Sequence, residues 1–442
     1  MKERVIQFGG GNFLRGFADD FIDSLNKQGL FDGSVVVVQS TASKTGEIIN
    51  SQGGKYHLLV RGIENGEETD NIREIDCISR CINANTEFEK FLSLAHNPDI
   101  RIIISNTTEA GIEYDSTCEF SDTPQRSFPG KLTRLLYERF KAELDGFIIL
   151  PCELIDNNAE KLKECVVKYA QQWALGKKFT HWLSSENHFC STLVDRIVSG
   201  FPKNESENIF RRIGTSDMLL DVAEPYHLWV IEGDFEKEFP LKSGGVNVVW
   251  TDSVEMYKKR KVRVLNGSHT LLVFPALLCG IETVSEAVDD KQLSEFLSTC
   301  LNRYILRALG ENESNIKFAN AVLERFRNPY LAHRWESISL NSVSKFSARV
   351  LPTVEDIIEK GKEAPLLMCF SLASLIFYYK NYEPKDLESA VSYIKSNSVS
   401  DILSNTELWG KDLAFLLPET EQCYKKIEES GIREALGWAL SL

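Results

Sequence analysis

The sequence predicts two domains: a doubly wound α/β domain with a mostly parallel sheet over residues 1–241, and a mostly α-helical domain over residues 242–442. Three observations lead there. Short apolar strands alternate with amphipathic helices through the first part of the chain, the pattern of a parallel sheet with crossover helices. Strand signals fade beyond Lys242, and long helical periodicities take over from Ser253. Between them, "EKEFPLKSGGVNVVWTD" (Glu236–Asp252) carries a Pro and a Gly pair that punctuate the change.

The elements follow in order. "RVIQF" is a short strand, and a glycine run leads from it into an amphipathic helix over Asn12 to Lys27. "GSVVVVQST" is a continuous apolar strand, as buried on both faces of a parallel sheet. "KYHLLVRGI" and "IREIDCISR" read as an inserted pair of strands. "TEFEKFLSLAH" is a helix, and "DIRIIISNTTEAGI" a strand running into a polar loop. "GKLTRLLYERFKAEL", "GFIILPCELI" and "NNAEKLKECVVKYAQQWAL" are helix, buried strand and helix. In the second domain, "DKQLSEFLSTCLNRYILRAL" and "ESNIKFANAVLERFRN" are amphipathic helices, and "APLLMCFSLASLIFYYKNY" is apolar on most sides, the mark of a central helix.

Composition narrows the function. The net charge of −14 argues against nonspecific affinity for nucleic acid or anionic membranes. No apolar run approaches the ~20 residues that span a bilayer. The start runs straight into a strand without a signal-peptide apolar region. The ten cysteines are scattered without a CxxC pair, so a reducing cytoplasm is expected. The seven histidines form no HExxH. His181 and His188 are spaced for one helix face, but no carboxylate or cysteine set completes a site, so no metal is expected.

Candidate chemistry begins at "VIQFGGGNFLRGF". Gly9, Gly10 and Gly11 stand between the first strand and helix, where glycine permits a tight turn and lets a pyrophosphate approach the backbone. The helix N-terminus offers free N–H groups to the anion, and Arg15 adds a charge-assisted contact. The third glycine is displaced to Gly16, so the spacing is not a regular GxGxxG. After the second strand, where a carboxylate holds the ribose of NAD, the sequence reads Gln39, Ser40, Thr41, with Lys44 beyond. This leaves NADP open beside NAD. Asn106 and Thr107, in the loop Ser105–Gly111 after a central strand, suit the cofactor's sugars.

The second domain holds "KVRVLNGSHT". On an uninterrupted α-helix, Lys261, Asn266 and His269 sit at about 0°, 140° and 80°, with His269 between the other two. Such a cluster suits reduction of a ketone. Lys261 gives the proton in reduction and takes it in oxidation, its pKa lowered by burial and by Lys258, Lys259 and Arg260. Asn266 and His269 donate hydrogen bonds to the carbonyl oxygen.

"GGGNFLRGF" and Lys261-x4-Asn266-x2-His269 together resemble the polyol-specific long-chain dehydrogenases, the mannitol dehydrogenase family. "PCELIDNN", "STLVDRI", "EPYHLWVIEG" and "SVSKFSARVLPT" look like the same family, so the resemblance covers nearly the whole chain. It implies a Rossmann-like N-terminal domain, a helical C-terminal domain, NAD(P) without a metal, and the matching lysine as acid/base. It places Asn12 and Phe13 with the glycines in the cofactor motif. "SNTTEAGI", "PCELID" and "NHFCSTLVDRIV" look most like the branch that interconverts D-tagaturonate and D-altronate with NADH in hexuronate catabolism. Two positions depart from the mannitol dehydrogenase pattern. Ser191 stands where a second oxyanion-binding asparagine is found, and Lys258 where an acidic residue often tunes the lysine. A keto-uronate carries a carboxylate, and His333, Arg334, Lys345 and Arg349 offer positive charge for it. Lys345 ranks first because its stretch resembles the family's substrate-binding region. Fructuronate reduction, a mannitol-type activity, and a non-catalytic NAD-binding sensor are the alternatives. A methyltransferase leaves the Lys/Asn/His cluster without a task. Nothing in the sequence sets an oligomeric state.

Overall fold

The computed structural model describes residues 1–40, 43–331, 333–361 and 363–442. The chain divides into two compact units: residues 1–61 with 68–255, and residues 62–67 with 256–442.

The first unit is built on a six-stranded parallel sheet. Its strands are β1 (Lys2–Phe8), β2 (Gly33–Gln39), β5 (Ile78–Asn83), β6 (Ile102–Ser105), β7 (Ile148–Pro151) and β8 (His188–Phe189), and their spatial order is β5-β2-β1-β6-β7-β8. The order reverses at β1, between β2 and β6, which opens a crevice at the carboxyl ends of these strands. Both faces are buried, and the two-residue strand period shows it. Val5, Val35, Val37, Ile102, Ile104, Ile148 and Leu150 pack in one core, while Ile6, Phe8, Val36, Val38, Ile103 and Ile149 pack in the other. This is why the strands read as continuous apolar runs rather than alternating ones.

Two smaller sheets complete this unit. β3 (Tyr56–Glu64) and β4 (Glu67–Ile75) lie in a sheet with β10 (Asp221–Ala223), in the order β10-β3-β4. The expected strand "IREIDCISR" is therefore two pieces: its start ends β4, and its last residues open β5 of the main sheet. β9 (Thr192–Asp195), β11 (Leu228–Glu232) and β12 (Val248–Thr251) form the third sheet, with β11 antiparallel to β9 and parallel to β12. β12 pairs with β11 and lies in the first unit, which runs to Glu255.

The expected helix Asn12–Lys27 is broken. α1 (Asn12–Arg15) is one turn, and α2 (Ala18–Lys27) starts afresh. The Tyr56 hydroxyl donates to the Arg15 carbonyl at 2.7 Å, drawing it out of helical pairing. At Gly16 an added Cβ would stand 2.7 Å from a Val198 methyl, so the break needs glycine for close approach. α3 (Phe128–Lys141) and α4 (Asn158–Gln172) are the later crossover helices.

The second unit is helical. α5 (Glu255–Lys261) runs through a π turn, Val262–Asn266, into α6 (Gly267–Leu278). α7 (Glu313–Phe326), α8 (Ser342–Arg349), α9 (Leu366–Asn381) and α10 (Leu417–Ser441) follow. α6 contains Pro275, which has no N–H for the Leu271 carbonyl one turn back. Ser371 of α9 fills that gap, its hydroxyl donating to the Leu271 carbonyl at 2.8 Å. Among the described residues no helix is long and apolar enough to cross a membrane.

Candidate functional site

The crevice at the switch point of the main sheet is a cleft of about 610 Å³. Its wall includes Gly9, Gly10 and Gly11 after β1, Gln39, Ser40 and Ser43 after β2, Asn106 and Thr107 after β6, and the start of α3. Gly9 has φ +113°, and a Cβ there would lie 2.9 Å from the Asn106 carbonyl oxygen, so this position demands glycine. Gly11 is different: an added Cβ would meet nothing within 4 Å. The space beside it is open for a ligand to approach the backbone, which fits a dinucleotide pyrophosphate.

The turn is braced from within. Gln7, fully buried on β1, donates to the Gly9 carbonyl at 3.1 Å and to the Asp19 carboxylate at 3.3 Å. Arg15 is also buried. Its guanidinium donates to the Gly10 carbonyl at 2.7 Å and to the Asn12 side-chain oxygen at 2.8 Å, and it stands 3.7 Å from the Asp221 carboxylate. Arg15, expected to contact a pyrophosphate, braces the turn from behind through these contacts. Asn12, Arg15 and Phe13, whose ring stacks on Phe17 at 5.0 Å, are not among the residues lining the cleft. Asp19 and Asp221 are fully buried. Burial pushes each carboxyl up to about 7, against hydrogen bonding from Gln7 at Asp19 and the nearby Arg15 charge at both.

The loop after β6 is held by a residue the sequence reading did not single out. Glu153 is buried, and its carboxylate accepts from the Ser105 hydroxyl at 3.0 Å and from both the amide and hydroxyl of Thr107 at 2.9 Å. Asn106 donates to the Cys152 carbonyl at 2.8 Å. The second asparagine of "PCELIDNN", Asn158, ties Pro151, Glu153 and Thr192 together. These contacts explain why the motif matters: it fixes the cleft's second wall.

At the end of β2, Gln39 is buried and turned to its own loop. It accepts from the Gly46 amide at 2.6 Å and donates to the Ser43 carbonyl. Lys44 is exposed. Thr41, expected beside the cofactor, lies outside the described residues. Ser191, after β8, is buried, and its carbonyl accepts from the Glu232 amide at 3.0 Å.

In the helical unit the π turn changes the expected geometry. The Gly267 amide reaches back to the Val262 carbonyl, a five-residue step. With i→i+5 pairing, Asn266 comes round about one turn above Lys261 instead of 140° away. Gly267 lets α8 come close: a Cβ there would stand 3.3 Å from the Arg349 carbonyl oxygen. Lys259 pairs with Asp356 at 3.7 Å, and Arg260 donates to Ser314 at 2.7 Å while lying over the Phe318 ring.

His269 is the centre of the cluster. Its ring stacks on Phe326 at 4.3 Å and meets His333 edge-on at 4.9 Å. Its Nε2 is buried and has no hydrogen-bond partner among the described residues. Burial holds the imidazole well below its usual pKa, and His333, Arg325, Arg349 and Lys345 push it the same way. The structure therefore gathers His333, Lys345 and Arg349 around His269, and adds Arg325, which the sequence reading passed over as part of an amphipathic helix. Lys345 donates to the Ile338 carbonyl at 2.9 Å, and both it and Arg349 are held below their usual pKa first by burial. Arg334 stands apart, exposed and paired with Glu282 at 2.6 Å. Among the described residues no His/Cys/Asp/Glu group could hold a metal ion.

Comparison with known proteins agrees with both halves. Residues 3–243 match the mannitol dehydrogenase Rossmann domain, and residues 253–429 the mannitol dehydrogenase C-terminal domain. The chain is 39% identical to the altronate oxidoreductase of Halalkalibacterium halodurans, over 100% of this chain and 94% of that protein. It is 39% identical to the altronate oxidoreductase of Bacillus subtilis, over 98% and 94%, and 44% identical to that of Cronobacter sakazakii, over 86% and 80%. In fold it is similar to a substrate-free D-sorbitol dehydrogenase, with TM-score 0.87, 23% identity and coverage of 99% and 95%. It is also similar to the Pseudomonas fluorescens mannitol 2-dehydrogenase ternary complex with NAD and D-mannitol, with TM-score 0.73, 20% identity and coverage of 100% and 95%. The chain belongs to the mannitol dehydrogenase family.

Proposed function

We propose that this family member is an NAD(H)-dependent altronate oxidoreductase that interconverts D-tagaturonate and D-altronate in the cytoplasm, with Lys261 as the acid/base. The observation that carries the reading is the buried His269, with His333 at 4.9 Å and the charges of Arg325, Arg349 and Lys345 acting on it, on the same α5–π–α6 run as Lys261 and Asn266. A neutral sugar has no use for that positive charge, whereas a uronate brings a carboxylate to it.

The dinucleotide cleft fits the cofactor through Gly9, Gly10 and Gly11 on one side and Asn106 and Thr107 on the other. NAD(H), when bound, supplies the hydride. The chain's own groups do the rest. Lys261 donates a proton to the oxygen of the ketone in reduction and removes it from the alcohol in oxidation. Asn266 donates its amide hydrogens to that oxygen, and His269 completes its unsatisfied Nε2 on a substrate hydroxyl or the same oxygen. Lys345, Arg349 and His333 hold the carboxylate end.

The test is NADH oxidation by the purified chain with D-tagaturonate, D-fructuronate and D-fructose. D-Tagaturonate is expected to have the highest kcat/KM. Preference for D-fructuronate would keep the uronate site and change the sugar. Equal use of D-fructose would remove the carboxylate site and leave a mannitol-type reductase.

A further inference from the structure

Two expected sources of positive charge are missing from the dinucleotide turn. α1 is a single turn long, so few peptide dipoles add up behind it. Arg15 is buried and committed to Gly10, Asn12 and Asp221. Yet two cations belong to the wall of the cleft, Arg126 before α3 and Lys131 in it. The Phe8 ring, immediately before Gly9, packs on Phe128 at 4.9 Å, so the start of α3 stands next to the glycine turn.

Lys131 is only 2% exposed. Its Nζ donates to the Arg126 carbonyl at 3.2 Å, and among the described residues no carboxylate is within ion-pair reach of it. Burial lowers its pKa, with only the Cys118 thiol acting the other way. A cation near the start of a helix also faces the unfavourable end of the helix dipole. A buried ammonium with neither an anion nor a favourable dipole is costly, and a ligand anion would offset that cost. Asp115, also in the wall, has its carboxylate engaged by the amide and hydroxyl of Thr117 at 2.8 and 2.7 Å.

We propose that Lys131, seconded by Arg126, is a phosphate-binding cation of the cofactor cleft and holds a phosphate group of the nicotinamide dinucleotide. The inference rests on the dinucleotide reading of this cleft. The phosphate has two possible sources: the pyrophosphate that NADH and NADPH share, and the 2′-phosphate that only NADPH carries.

Binding, rather than turnover, tests it. Dissociation constants for NADH, NADPH and adenosine are measured by calorimetry on the full chain, native and with Lys131→Met, Lys131→Arg or Arg126→Ala, with thermal melting as the check on folding. Removing a hydrogen bond to a charged group should weaken dinucleotide binding about 10- to 100-fold. Lys131→Met should therefore weaken NADH and NADPH alike, Lys131→Arg should retain most affinity, and adenosine should be unmoved. Loss confined to NADPH supports the proposal with the 2′-phosphate as the partner. Unchanged binding of both dinucleotides by folded Lys131→Met overturns it. If that variant does not melt cooperatively, Lys131→Gln and the exposed Arg126→Ala decide on the same criterion. Native protein that binds neither dinucleotide would instead overturn the dinucleotide reading itself.

Discussion

His269 lies flat on Phe326, ring centroids 4.3 Å apart and planes 26° from parallel, with its Nε2 buried and unsatisfied. A buried polar atom without a partner costs roughly 1–3 kcal/mol, and in the proposed mechanism a substrate group completes it. The stack on Phe326 fixes the ring plane, and burial, followed by the charges around it, holds the imidazole well below its usual pKa. His269→Ala should lower kcat/KM about 10- to 100-fold, the loss of one such hydrogen bond, and leave NADH affinity unchanged. A steady-state comparison with a direct NADH titration checks this. Phe326→Leu should do the same to a smaller extent, because it frees the ring without removing it.

Lys261→Ala should cut kcat by about 10²–10⁴-fold, the usual worth of general acid catalysis. NADH affinity should barely move, since the proton goes to the ketone oxygen and not to the dinucleotide. Turnover close to native across the whole pH range would remove Lys261 from the proton transfer.

Gly9 and Gly11 should respond in opposite ways to added bulk. Gly9→Ala forces a side chain into φ +113° and against the Asn106 carbonyl, so it should lower the melting temperature. Gly11→Val meets open space in the protein and should melt near the native temperature. It should nonetheless abolish detectable NADH binding, because the methyls would occupy the approach to the backbone. Melting curves and NADH titrations of the two variants separate the structural glycine from the binding one.

The sheet was legible because strands buried on both faces leave continuous runs such as "SVVVVQ" and "RIIIS", and few other structures do. Lys261, Asn266 and His269 could be read from local spacing as members of one helical run. The π turn between them could not: Val262–Asn266 has the composition of any helix, and the extra residue per turn shows only in the Gly267 to Val262 pairing. For Arg15, local spacing places it beside the turn but is silent on its partner. Asp221, far along the chain on β10, draws it inward. Glu153 was visible as part of "PCELID" and its task was not, since its partners Ser105 and Thr107 come from another strand end.

The buried aspartates give a pH signature. Asp19 and Asp221 titrate near 7 in the folded chain, against the ordinary carboxylate value in the unfolded one. Between those values the folded state holds more protons than the unfolded state, so stability falls as pH rises through about 4 to 7. Asp19→Asn still accepts from Gln7 and cannot ionise. Its melting temperature should therefore decline less than that of the native chain between pH 5 and pH 8. Parallel curves would mean that Asp19 does not take up a proton on folding.

The substrate's charge decides between a uronate and a neutral sugar, and Lys345 is where the difference should appear. Its neighbours Arg349 and His333 also act on His269 electrostatically, but among the described residues Lys345 donates only to the Ile338 carbonyl and retains further N–H bonds for a ligand. Removing one partner of a desolvated charged hydrogen bond costs roughly 2–5 kcal/mol, which is tens- to thousands-fold in binding. Lys345→Met should therefore raise KM for D-tagaturonate steeply and spare both NADH affinity and folding. It should leave D-fructose almost untouched, because that substrate has no carboxylate to lose. The ratio of the two kcat/KM values is thus the sensitive quantity, and it should fall by the same factor as the uronate's own loss. A Lys345→Met variant that loses both substrates equally would assign the residue to positioning the shared hydroxyls and shift the carboxylate contact to Arg349 or Arg325.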